Sequence, residues 1–195
     1  MSASDLVSAL PLVVETFRRL GIRYYIAGSV ASSAHGMPRS TLDVDIVADL
    51  APEHITPLVE TLEGKYYIEA SALREALRRR TSFNIIHLET LLKVDIFPLK
   101  HEAYHSGTMD RARPGSLVGE GRELEVNFSA PEDVILHKLL WYRQGGEVSD
   151  RQWADVVGVL RVQGPALDSG YLREWAPRLG IADLLERALG EVGEG

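Results

Sequence analysis

Asp43 and Asp45 stand two residues apart in the run Thr41 to Val47, and side chains two apart on a strand leave the same face. Two carboxylates held that close repel each other, and a shared proton or a cation relieves the repulsion. Where phosphate chemistry is done, the cation is usually a divalent metal. A third acid, Asp95, lies inside the apolar run Lys93-Val94-Asp95-Ile96-Phe97, where an unpaired carboxylate is costly. If its strand lies beside that of Asp43 and Asp45, the three can hold two Mg²⁺ ions, with Mn²⁺ as a substitute, about 3.5–4 Å apart. One ion would lower the pKa of an attacking hydroxyl. The other would neutralise a nucleoside triphosphate and its leaving pyrophosphate, which is in-line nucleotidyl transfer.

Gly28-Ser29 fits the same scheme, because glycine lets backbone approach a phosphate and the following helix points N–H groups at it. The plainer alternative is a strand-to-helix turn with Ser29 as N-cap. Arg39 could reach a phosphate or pair with the acids beside it. A second metal pattern is formally present in His101-Glu102-Ala103-Tyr104-His105, the H-E-x-x-H arrangement of zinc proteases. That chemistry needs a long supporting helix, whereas Pro98 precedes and Gly107 follows closely.

In the order Gly28-Ser29, a short helix, Asp43-x-Asp45 and a later Asp95, the chain resembles the nucleotidyltransferase superfamily, whose fold is related to DNA polymerase beta and to the aminoglycoside and lincosamide nucleotidyltransferases. Arg39-Ser40-Thr41 and the stretch from Phe83-Asn84 to Lys93-Val94-Asp95 look like the small bacterial branch that includes abortive-infection type II (AbiEii-like) toxins. The resemblance covers Ile22 to Phe97 well and the helical tail only loosely. It implies that Asp43 and Asp45 are metal ligands and that Asp95 is the third ligand and activator of the acceptor hydroxyl. Gly28 and Ser29 would hold phosphate, and Lys138 could contact the triphosphate, although a surface lysine with its stem packed down is the simpler reading. The implied donor is an NTP and the acceptor a hydroxyl on a small molecule, a tRNA or another protein. Two further functions stay open: the toxin of a toxin–antitoxin pair silenced by an antitoxin partner, and a binding module that keeps the acids without turnover.

The elements that must position these groups can be read from periodicity. Leu6, Leu10, Val13, Val14, Phe17 and Leu20 mark one helix, stopped by Gly21. Arg23 to Ala27 reads as a strand, Val30 to His35 as a short helix broken by Gly36-Met37-Pro38, and Thr41 to Val47 as the next strand. Pro52 to Glu63 and Ser71 to Arg80 read as helices, the second capped by Ser71, with a short strand at Tyr66 to Glu69 between them. Phe83 to Leu88 and Leu92 to Phe97 suit a hairpin, and Arg122 to Phe128 one more strand; His101 to Arg113 is ambiguous. Ser129-Ala130-Pro131-Glu132-Asp133 is a helix start, and everything beyond it is helical: Val134 to Tyr142, Gln152 to Val162, Tyr171 to Ala176 and Ile181 to Leu189. The expected fold is α/β (α+β), a mixed sheet flanked by helices, with an α/β domain over residues 1–128 and a helical region over 129–195. Asp150 and Asp155 read as helix-capping, solvated acids, and Trp141, Trp153 and Trp175 as packing anchors. His35, His54, His87 and His137 read as partly exposed or hydrogen-bonded.

The 195 residues are 45% hydrophobic and 25% charged, an ordinary globular composition. With no cysteine, disulfides and thiolate metal sites are excluded. The N-terminus lacks the pattern of a secretory signal, and no apolar run approaches the roughly 20 residues of a membrane helix, so the expected location is cytoplasmic. A net charge of −7 argues against a broad nucleic-acid grip and favours a small molecule or protein acceptor. Arg78, Arg79 and Arg80 form one local basic run, read as the solvated end of a helix.

Overall fold

In a computed structural model that describes residues 3–193, the chain forms two compact units: Met1–Ala27 with Ser40–Phe128, and Gly28–Arg39 with Ser129–Gly195. The first unit opens with α1 (Ala3–Ala9) and α2 (Pro11–Arg19). Sequence periodicity predicts one helix here, but Pro11 has no N–H to donate and its ring crowds the preceding turn, so a new helix starts with proline at its first position. Val13, Val14 and Phe17 are buried, and the Phe17 ring packs on Tyr24 with centroids 5.4 Å apart.

Among the described residues the sheet has seven strands: β1 (Tyr24–Ile26), β2 (Asp43–Ala48), β3 (Tyr66–Tyr67), β4 (Phe83–His87), β5 (Lys93–Pro98), β6 (Arg113–Gly119) and β7 (Arg122–Phe128). Their spatial order is β3-β4-β5-β2-β1-β7-β6. The sheet is mixed, with β2 parallel to β5 and β1 parallel to β7, and the other pairs antiparallel. The predicted hairpin is β4–β5. One strand has no counterpart in the sequence reading: β6 carries Pro114 and Gly115, both poor strand formers. It is held to β7 by the two-residue turn Glu120-Gly121, where both φ values are positive (50° and 72°), as such a hairpin requires. A Cβ at Gly115 would stand 3.0 Å from the Phe128 ring, so a larger residue there requires the ring to shift.

Helices α4 (Ile55–Leu62), α5 (Ala70–Arg79) and α6 (Ala103–Asp110) complete this unit, burying Leu58, Leu62 and Leu73. Ser71 is not the cap of α5; the chain is still extended at Glu69 and turns helical one residue later, which places Ser71 in the first turn. Arg80 closes α5 in the left-handed conformation, while Arg78 and Arg79 both pair with Glu75 on the solvated helix end.

The second unit is helical: α3 (Gly28–His35), α7 (Pro131–Gln144), α8 (Asp150–Gln163), α9 (Ser169–Arg178) and α10 (Ala182–Gly193). Gly36 does more than break α3. A Cβ there would lie 2.8 Å from the Val159 nitrogen and 2.9 Å from the Gly158 carbonyl carbon, so the end of α3 rests directly on the backbone of α8. Two polar ties fix the same end: His35 Nε2 bonds the Ser129 carbonyl at 2.7 Å, and Gln163 Nε2 donates to the His35 carbonyl at 2.7 Å. Glu132 and Asp133, expected only as first-turn acids of α7, are fully buried; Glu132 accepts from the Asp168 N–H and Asp133 from the Tyr171 hydroxyl.

Candidate functional site

The parallel pairing of β2 with β5 sets Asp43 opposite Lys93 and Asp45 opposite Asp95. Residues opposite one another share a face, so Asp43, Asp45, Lys93 and Asp95 line one side of two neighbouring strands. Asn84, opposite Asp95 on β4, extends this row. Burial alternates as that geometry requires: Val44, Ile46, Val94 and Ile96 are 0% exposed on the other face, whereas the acids are half-buried. The central apolar contacts of the sheet therefore fix the register that aligns the acids. Thr41 Oγ1 donates to Asp43 Oδ1 at 3.0 Å, and the Ala27 N–H donates to the Asp45 carbonyl at 2.8 Å, extending the β1–β2 ladder.

Lys93 has no role of its own in the sequence reading, where it only opens the run that carries Asp95. Its Nζ donates to Asp95 Oδ2 at 2.7 Å, so the acid in the apolar run is not unpaired, although its side chain is only 16% exposed. That hydrogen bond, with the fields of Asp95, Asp43 and Asp45, holds the Lys93 pKa above its ordinary value. Strand alternation could have found this lysine, which lies two residues before Asp95 as Asp43 lies two before Asp45.

Three carboxylates on one face are hard oxygen donors, the set that Mg²⁺ or Mn²⁺ takes. Their chemistry fits a divalent ion, and Asp43, Asp45 and Asp95 are the residues that would hold it. Among the described residues, however, no three His, Asp or Glu groups stand close enough to bind an ion as placed. Lys93 ties down the Asp95 carboxylate and Thr41 one oxygen of Asp43. Two carboxylates about 5 Å apart repel by roughly 3 kcal/mol at an effective dielectric near 20, which is reason enough for them to stay apart.

The residues expected to hold nucleotide lie in the helical unit. Gly28 begins α3 with φ 56°, a backbone that glycine adopts without strain. The Ser29 hydroxyl accepts a hydrogen bond from the Arg39 guanidinium at 2.5 Å, and Ser32 donates to the Gly28 carbonyl at 2.7 Å. Arg39 Nε and a terminal nitrogen meet Asp155 at 2.7 and 2.8 Å. Lys138 is no surface lysine, being 6% exposed with its Nζ 2.8 Å from Asp155 Oδ2. Asp155, expected to be solvated, is 4% exposed at the centre of this cluster. Burial pushes its carboxyl pKa up, but the bonds from Arg39 and Lys138 outweigh burial and hold it below the ordinary carboxylate value. The helix cap is Ser149, which accepts from the Gln152 N–H. An acid set among Ala154, Val156 and Val157 is the one sequence sign that Asp155 faces inward.

Other sequence-stated candidates resolve differently. His101 precedes α6 and Glu102 is its N-cap residue, so the two histidines of the H-E-x-x-H match do not share one helix face. His105 instead faces Glu102 at 3.5 Å. Trp153 and Trp175 are part-buried and Trp141 is exposed, so none is a core anchor: Trp153 lies under Arg187 at 3.9 Å, Trp175 under Arg178 at 5.0 Å, and Trp141 stacks on His137. His54 Nδ1 accepts from the Ala51 N–H, and His87 is buried against Thr90. Among the described residues, no helix is long and apolar enough to cross a membrane.

No family model matches this chain, and no curated protein matches it in sequence. Among solved structures, the solution structure of the antibiotic-resistance factor ANT(2'')-Ia aligns over 93% of this chain and 97% of its own, with a TM-score of 0.57 at 14% identity. The crystal structure of ANT(2'')-Ia in complex with adenylyl-2''-tobramycin covers 90% and 97%, with a TM-score of 0.55 at 16% identity. The lincomycin-bound lincosamide antibiotic adenylyltransferase LnuA covers 80% and 96%, with a TM-score of 0.46 at 14% identity. The chain shares the α/β fold of ANT(2'')-Ia.

Proposed function

We propose that this protein is a Mg²⁺-dependent nucleotidyltransferase that moves a nucleoside monophosphate from an NTP to a hydroxyl acceptor. The observation that carries the reading is the β2–β5 register, which aligns Asp45 with Asp95 and keeps Asp43 on the same face. Its support from outside the chain is a fold shared with a protein found in complex with an adenylylated antibiotic.

In this reading Asp43, Asp45 and Asp95 ligate Mg²⁺, with Mn²⁺ able to substitute. When bound, the ions polarise the attacking hydroxyl and neutralise the triphosphate and its leaving pyrophosphate. The Asp95 carboxylate takes the proton of the acceptor hydroxyl. As that oxygen bonds the α-phosphorus, the bond from the α-phosphorus to the pyrophosphate oxygen breaks, and pyrophosphate leaves with the electron pair. Gly28 offers backbone N–H groups at the start of α3 to phosphate, and Ser29 adds a hydroxyl donor. Arg39 and Lys138 supply positive charge to the nucleotide.

The acceptor we favour is a small hydroxyl-bearing molecule, and the net charge of −7 suits a cationic one such as an aminoglycoside. The test incubates the protein with each labelled NTP and Mg²⁺, then offers aminoglycosides, tRNA and a cell lysate. Label transfer that is lost in Asp43→Ala/Asp45→Ala supports the mechanism, and transfer that survives the double change refutes it.

A second reading keeps the chemistry but makes the protein the toxin of a toxin–antitoxin pair. Its support is the likeness of Arg39-Ser40-Thr41 and of the β4–β5 hairpin to the abortive-infection branch. Growth arrest on expression, relieved by a neighbouring gene, would favour it; normal growth with tRNA left unlabelled would remove it. If Mg²⁺–NTP does not bind in calorimetry, the binding-module reading of the same fold replaces both.

A further inference from the structure

Lys93 is the charged group on the acid face to which the proposed reaction gives no role. It projects from the same side of β5 as Asp95, stands opposite Asp43 in the strand register, and keeps its Nζ 2.7 Å from Asp95 Oδ2. An ammonium offers three donors and one positive charge, so it satisfies a carboxylate in the same place where a divalent ion would, with half the charge. Its side chain is 45% exposed, leaving it room to swing away.

We propose that Lys93 is a resident counter-cation: it neutralises Asp95 while no divalent ion is bound, releases Asp95 when one enters, and so sets the metal affinity of the site. The inference rests on the metal reading above. It also accounts for a face whose donors have the right chemistry and yet do not close on an ion as placed. Lys93 acts through Asp95 and is a positioning residue.

The test measures Mn²⁺ binding to the full chain by electron paramagnetic resonance, without nucleotide, and thermal unfolding in chelator and in Mn²⁺. Lys93→Met keeps the length of the side chain and removes its charge. We expect it to bind Mn²⁺ about tenfold more tightly than the wild type, and Lys93→Arg to stay within about threefold. Lys100→Met, which removes the same charge from an exposed position in the same unit, should leave the affinity unchanged. In chelator Lys93→Met should melt below the wild type, and Mn²⁺ should raise its melting temperature by more. If Lys93→Met does not fold in chelator, it is folded in Mn²⁺ and titrated by metal release. In an Asp95→Asn background the gain from Lys93→Met should largely vanish. Wild-type binding that Lys93→Met leaves equal or weaker overturns the role of Lys93 alone. Absence of Mn²⁺ binding in both overturns it together with the metal reading.

Discussion

Two charged clusters, one in each unit, solve opposite problems. On the sheet face, three half-buried carboxylates stand on one side of two strands, and Lys93 bonds one of them, Asp95. In the helical unit, one carboxylate holds two cations, and Asp155 and Lys138 are almost wholly buried. A buried charge must be paired where it stands, because removing one partner strands the other in a low dielectric. A half-exposed like-charge face can instead remain unsettled until a ligand completes it. The difference teaches that like charges are tolerated on the half-exposed sheet face, whereas the buried Asp155 carboxylate is met on the spot by Arg39 and Lys138.

The largest effect should fall on turnover. Asp43→Ala/Asp45→Ala should lower nucleotidyl transfer by about 10³-fold or more, while the melting temperature stays within a few degrees, since the other face of β2 carries the packing. A large loss of stability in that variant would break the comparison. The converse change, Asp155→Ala, leaves Arg39 and Lys138 facing each other without their shared anion, and should cost about 3–5 kcal/mol in chemical unfolding. A cost below 1 kcal/mol, an estimate typical of exposed pairs, would show that the cluster is not structural. Gly36→Ala forces a Cβ against the backbone of α8 and should cost roughly 1–3 kcal/mol. Equal melting curves would mean that α3 and α8 can separate freely.

The smallest effect is on pH dependence. The Asp155 carboxyl has a lowered pKa in the fold, so its contribution is fully present above its unfolded value of 3.8 and is lost as pH falls through the folded value. Thermal unfolding followed downward from pH 5 should show this loss in the wild type, and Asp155→Asn should flatten it. An unchanged acid limb in the variant would place the acid sensitivity elsewhere.

The parts of this picture that lie along one strand were legible in the sequence. Alternation in Asp43-Val44-Asp45-Ile46 gave the shared face, and the run ending at Pro98 gave the hairpin that carries Asp95. That β2 and β5 lie side by side is a pairing of distant segments, for which the sequence offered a condition rather than an observation. Pro11 was a visible signal outweighed by the apolar spacing on either side of it. β6 was hidden by Pro114 and Gly115, whose place in a strand depends on Phe128 lying over the glycine. Asp155 and Lys138 were misread for a shared reason: charge in a helix predicts solvent unless a partner from another helix meets it, and Arg39 is far away in sequence.

The discontinuity of the helical unit has a consequence for biosynthesis. A chain leaving the ribosome delivers α3 early, while α7 and α8, against which it packs, come only after Phe128. All seven strands have emerged by then, so the sheet can close while α3 is still waiting. The nascent protein thus passes through a stage with its acids aligned and the apolar side of α3, including Val30 and Ala31, still uncovered. In that interval, before α8 is made, these side chains lack the helices that cover them in the finished fold.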